Sequence, residues 1–124
     1  MNCGHTSGKD WLRNARVAWL WPAALLTVVV GWLVVSGPRG DLLGAAGFAV
    51  GGILCIGNAL RCRRAHCTAT GPLYLVAALL FLVRAGGSNI PAGCIVAGAA
   101  VGTALAFVPE VLGSRYLGRA PGTS

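Results

Sequence analysis

Long apolar runs alternate with short polar connections along most of the chain. A helix rises 1.5 Å per residue, so about 20 mostly apolar residues cross a bilayer. An open sheet is excluded in such segments because lipid leaves its edge groups unpaired. The runs without Asp, Glu, Lys or Arg are residues 17–38, 42–60, 65–83 and 85–109.

This pattern predicts an all-α integral membrane protein with four transmembrane helices in an antiparallel bundle. The connections are too short for a separate soluble domain, so residues 1–124 form one membrane domain. The lipid bilayer is then the main partner. The predicted helices are residues 15–36, 42–62, 68–85 and 89–110.

Composition agrees with this interpretation. The 124 residues are 56% hydrophobic and 10% charged, whereas a soluble domain carries about 25% charged residues. The formal charge of +7 would suit nucleic acid in a soluble chain. In a chain this apolar it indicates a positive bias on the cytoplasmic side, so no nucleic-acid partner is expected.

The positions of the basic residues predict the orientation in the cell membrane. With both termini in the cytoplasm, eight of the ten Lys and Arg residues lie on that side, as the positive-inside rule requires. The segment NALRCRRAHCTATGP, residues 58–72, is then the cytoplasmic connection between the second and third helices.

Small residues form a stripe on each of two predicted helices. Gly47, Gly51 and Asn58 share one face of the second helix, and Gly98 and Gly102 offer a matching face on the fourth. Such stripes let helix backbones approach closely, so we expect helix contacts there, within the chain or in a homo-oligomer. Asn58 should bond to a neighbouring helix or line a polar cavity, since its carboxamide needs partners.

The cytoplasmic connection also holds candidate metal ligands. Cys62, His66 and Cys67 supply two sulfurs and an imidazole within six residues, and Cys55 lies seven residues before Cys62 on the same stripe. Thiolate is a soft ligand that favours Cu(I), Zn and similar ions, and Hg(II) belongs with them. We therefore consider binding or transport of mercury, copper or zinc at the cytoplasmic face.

Other thiols lie further away. Cys3 and His5 form a second candidate capture point on the cytoplasmic side, and Cys94 lies near the outer end of the fourth helix.

Two alternatives to metal binding stay open. The cysteines can be small packing residues in a structural or accessory membrane protein without chemistry of its own. A thiol oxidoreductase is the other, although the chain has no C-x-x-C pair. No Walker sequence, H-E-x-x-H or Ser/His/Asp set is present, so neither an enzyme nor a bound cofactor is expected.

The segment from Asn58 to Leu75 resembles a signature of small uncharacterised prokaryotic membrane proteins, N-x3-C-x3-HC-x2-TGP. The whole chain is more loosely similar to the small mercury-uptake membrane proteins, which are bundles of three or four helices with cysteines in the first helix and the cytoplasmic loop. That resemblance implies mercury as the ion. The first helix of this chain contains no cysteine, which differs from that family.

Three further sequence features predict details of the helix ends. Asp41 is a good N-cap for the second helix, and Thr70-Gly71-Pro72 has the composition of a cap and first turn for the third. Arg84 ends the third helix, where its side chain can extend to the membrane surface.

Overall fold

A computed structural model describes residues 19–62 and 65–112 of the chain, without the side chains of Trp21, Trp32, Cys62 and Glu110. This part of the chain is helical and contains no strand, which confirms the all-α prediction at that level. Its helices are α1 (Leu20–Leu33), α2 (Pro38–Cys62), α3 (Ala65–Ala85) and α4 (Ala92–Val111).

Three of these helices are long and apolar enough to cross a membrane. The qualifying segments are Pro38–Arg61, Ala65–Ala85 and Ala92–Pro109, and large apolar side chains such as Ile53 and Leu105 are exposed on them. Helices of this length and apolarity are typical of membrane proteins. The apolar stretch of α1, Pro22–Gly31, is shorter, and the predicted start of the first helix at residue 15 lies outside the described residues.

The second helix begins before its predicted start. Gly37 adopts a positive φ of 79°, and Pro38 follows as the first residue of α2, where its fixed φ suits a helix and its missing N–H costs nothing. Asp41 therefore lies within the first turn, with its N–H donating to the Gly37 carbonyl. The prediction that Asp41 caps this helix is wrong.

The third helix also begins early. It starts at Ala65, so Pro72 lies inside it, and the prediction of a cap at Thr70 is wrong. Pro72 removes one backbone hydrogen bond, and its ring crowds the carbonyl of Thr68 one turn earlier. The turns before it pack against α2, with His66 and Cys67 buried, and such packing overrides the local preference of proline for a first turn.

Consecutive helices run antiparallel and pack against one another. Along α2 and α3 the facing pairs are Gly44 with Phe81, Gly51 with Tyr74, and Asn58 with Cys67, so the position on one helix rises as the other falls. Gly47 faces Val28 of α1, and Gly102 faces Leu73 of α3.

Three aromatic rings form the centre of the core. Phe48 packs edge-on against Tyr74 at a centroid distance of 5.4 Å and stacks on Phe81 at 5.7 Å, both geometries that aromatic pairs favour. The core therefore joins α2 to α3, and small residues such as Ala77 and Ala99 fill the space around the rings.

Candidate functional site

A cluster of buried polar side chains lies between α2 and α3, near the predicted cytoplasmic ends of these helices. We call it the thiol cluster. Each of its members is at most 6% exposed. They are Cys55, Asn58, His66, Cys67 and Thr70.

Helical spacing on both sides builds the thiol cluster. Cys55 and Asn58 are three residues apart on α2, and His66 and Thr70 are four apart on α3, so each pair lies on one helix face. The Thr70 hydroxyl donates to the His66 carbonyl. That bond satisfies a hydroxyl which would otherwise be buried without a partner.

Two glycines allow the helices to meet at this level. A methyl group on Gly71 would lie 2.6 Å from Cγ1 and 3.2 Å from the backbone nitrogen of Ile56, and one on Gly52 would lie 3.0 Å from the Gly71 carbonyl oxygen. Only glycine permits this approach without a shift of the neighbours. The approach lies one turn from Cys55 and from Cys67.

Cys67 has the most polar neighbours in the cluster. Its Sγ lies 3.1 Å from His66 Nε2 and 3.5 Å from Asn58 Nδ2, which donates to it. The Cys55 side chain contacts both Cys67 and Thr70. Two thiols from facing helices therefore meet in a site that is 1% exposed at Cys55 and 0% at Cys67.

Asn58 has an acceptor that no group in the described part of the chain satisfies. Its Nδ2 donates to Cys67, whereas its buried Oδ1 has no hydrogen-bond partner there. Buried polar atoms almost always have a protein or water partner. This oxygen therefore marks a place where the thiol cluster can accept a hydrogen bond from a small ligand or a water molecule.

The fourth helix closes one side of the cluster. The His66 ring stacks on the Phe107 ring at a centroid distance of 4.3 Å. The stack fixes the imidazole plane while Nε2 stays beside Cys67.

The candidate metal ligands divide into those that meet and those that do not. Cys55, His66 and Cys67 belong to the thiol cluster, whereas Cys62 is the last residue of α2 and its side chain lies outside the description. Among the described side chains, no three His, Cys, Asp or Glu residues are grouped to hold one metal ion. Cys94 is exposed, and Cys3 and His5 lie outside the described residues.

The predicted packing residues also divide. Gly47 contacts α1, and Gly51 and Gly102 contact α3. A methyl group on Gly98 would meet no atom within 4 Å, so the packing contact predicted there is not made among the described residues of one chain. Asn58 bonds across the helix contact to Cys67, which was one of its two expected roles.

An ion pair joins the first turn of α2 to the last turn of α3, at the end of the helix pair away from the thiol cluster. The sequence did not reveal this contact. Arg84 Nε donates to Asp41 Oδ1 at 2.7 Å, and the same guanidinium donates to the Ile90 carbonyl before α4. Arg84 therefore has a partner within the protein, which the expectation of a side chain extending to the membrane surface did not include. The signal available in the sequence was that the predicted topology puts Asp41 and Arg84 on the same side of the bilayer.

An apolar cavity of about 160 Å³ lies one helix turn from the thiol cluster, and no member of the cluster lines it. Its walls include Gly51 and Tyr74, which lie four residues from Cys55 and Thr70 respectively. Leu25 and Val29 of α1 line its outer part and are themselves half-exposed. The cavity therefore opens toward the exposed face of α1 and ends one helix turn from Cys55.

Comparisons with protein-family models, curated proteins and solved structures found no significant match to this chain.

Proposed function

We propose that this chain is a multi-pass protein of the cell membrane that binds a soft metal ion through Cys55 and Cys67. The observation that supports this most directly is the meeting of these two thiols from facing helices, at 1% and 0% exposure. Thiolate is the ligand that soft ions prefer. A site buried between the two helices also keeps water away from a bound ion.

The chemistry of the cluster narrows the choice of ion. Two thiolates suffice for Cu(I) or Hg(II), which accept two-coordinate sulfur sites. Zn(II) usually takes four ligands, so the described side chains suit it less well. Binding would release the thiol protons to solvent, and the His66 imidazole lies beside the Cys67 sulfur.

The proposed topology predicts the side of the membrane on which the metal site lies. Four spans with both termini in the cytoplasm place the basic residues inside, and they place Cys55 and Cys67 near the inner surface. Arg61 belongs to that inner edge and is exposed. An ion held there would exchange with the cytoplasm, and its passage across the membrane would be the transport form of this function.

Metal titration of the purified protein tests the proposal. The chain in detergent micelles is given Cu(I) or Hg(II) with a competing chelator, and bound metal is measured by mass spectrometry. We expect equimolar binding, lost in Cys55→Ser and in Cys67→Ser. Cys94→Ser is the matched control, because Cys94 is exposed and outside the thiol cluster.

A second candidate function is a structural or accessory role without chemistry. The support for it is the close approach of α2 and α3 at Gly52 and Gly71, where small side chains such as Cys55 and Cys67 fill space. On this view both Cys→Ser variants retain the same weak metal binding as the wild type. That result would refute the metal proposal.

A further inference from the structure

The position of the two thiols of the cluster also bears on a second reaction besides metal binding, the formation of a disulfide. A disulfide requires Cα atoms within about 7 Å and side chains directed at each other. The glycine approach of Gly52 and Gly71 brings the α2 and α3 backbones together one turn away, and the Cys55 side chain contacts Cys67. Neither cysteine is in a disulfide in the structure.

We propose that Cys55 and Cys67 are a reversible dithiol pair, which a lipid-soluble two-electron oxidant converts to a disulfide linking α2 to α3. This pairing differs from the adjacent loop pair, Cys62 and Cys67, that sequence spacing alone would favour. It is independent of the proposed metal binding, although a disulfide would remove both metal ligands.

The way in which an oxidant can reach Cys55 and Cys67 determines which class of oxidant can react with them. Exposure of 1% and 0% keeps charged, water-soluble oxidants away from these sulfurs, since thiol oxidation depends on access. An apolar oxidant can approach through the apolar surface of the bundle instead, where the cavity at Gly51 and Tyr74 ends one helix turn from Cys55. Quinones are the two-electron acceptors that dissolve in cell membranes.

The reaction balances without a further reactant. A diazene, a synthetic two-electron oxidant with an N=N bond, serves as the test reagent: one thiol adds across that bond, its sulfur to one nitrogen and its proton to the other. The sulfur of the second thiol then attacks the first sulfur, the S–N bond breaks, and the hydrazine leaves with the proton of the second thiol. With a quinone, the same two electrons and two protons convert the quinone to its hydroquinone while the S–S bond forms. A thiol reductant reverses the change by exchange.

Cysteine mapping in membranes tests the pair. Membranes containing the wild-type chain are treated with a lipid-permeant diazene, with a fully ring-substituted short-chain quinone, or with a charged impermeant oxidant. Free thiols are then alkylated, and linked peptides are identified by mass spectrometry. We expect most chains to carry a Cys55–Cys67 link after either permeant oxidant, little after the impermeant one, and loss of the link on reduction.

Substitutions separate the candidate pairs. Cys62→Ser and Cys94→Ser should form the link as the wild type does, whereas Cys55→Ser and Cys67→Ser should not. A Cys62–Cys67 link in the wild type, or no intramolecular link after the diazene, would overturn the proposal. A link formed by the diazene and not by the quinone would overturn the assignment of the oxidant class.

The two proposals fail separately. If the Cys55–Cys67 link forms and the reduced protein binds neither Cu(I) nor Hg(II), the dithiol stands and the metal function falls. If the reduced protein binds metal and no link forms, the reverse holds.

Discussion

Replacement of Gly71 by alanine should push α3 away from α2 at the level of the thiol cluster. The added methyl group would lie 2.6 Å from Ile56 Cγ1 and 3.2 Å from the Ile56 backbone nitrogen. A side chain can turn away, whereas the backbone of α2 can relieve its contact only if the helices separate. Overpacking of this kind costs about 1–3 kcal/mol.

A matched variant isolates that cost. Glycine to alanine in a helix interior also gains about 1 kcal/mol of helix propensity, which offsets part of the clash in Gly71→Ala. Gly98→Ala makes the same chemical change inside α4, where the new methyl group meets no atom within 4 Å. The difference between the two variants should therefore be the overpacking cost itself, about 1–3 kcal/mol.

Unfolding in mixed detergent micelles, followed by circular dichroism as the denaturing detergent increases, measures this difference. Metal binding and disulfide formation should fall in Gly71→Ala and stay at the wild-type level in Gly98→Ala, because only the first change separates Cys55 from Cys67. Equal stability of the two variants would refute the argument that α2 and α3 touch through these glycines.

The remaining predictions concern the rest of the bundle. Asp41→Asn should lower the free energy of unfolding by about 1–2 kcal/mol, a value between those of exposed and buried ion pairs, since it leaves the partly buried Arg84 without its counter-charge; Asp41→Asn with Arg84→Gln should recover part of this, and full additivity in the same unfolding assay would contradict a direct pair. Tyr74→Phe removes the hydrogen bond between the Tyr74 and Thr103 hydroxyls and should cost about 0.6 kcal/mol, typical of such bonds in membranes, with the core otherwise intact; a loss several times larger would mean that Tyr74 does more than this. Reporter domains fused to each terminus should both be active only in the cytoplasm, and an external C-terminus would reverse the side of the membrane on which the thiol cluster lies.

Much of the helical architecture could be predicted from the printed sequence. An apolar run of about 20 residues has few alternatives in lipid, because every backbone group must be satisfied within the segment. The stripe containing Gly47, Gly51 and Asn58 likewise identified a contact face of α2, since positions three and four apart share a helix face. Helix spans and helix faces depend on residues that are close in the sequence, so they can be predicted from the sequence alone.

The start of each helix was less predictable. Asp41 and Thr70 have the side chains of good caps, yet α2 and α3 begin at Pro38 and Ala65. A cap contributes about 1 kcal/mol, and burial of the first turns of α3 against α2 outweighs a contribution of that size.

Only the tertiary structure decided which side chains meet. Spacing grouped Cys62 with Cys67, whereas the bundle brings Cys55 to Cys67 and Asp41 to Arg84. The sequence by itself determined where helices run and which faces are small or polar. Which side chains become neighbours depends on the rotation and relative register of the facing helices. The close contact of Gly52 with Gly71 is an example, because these residues lie on separate helices and no local sequence pattern relates them.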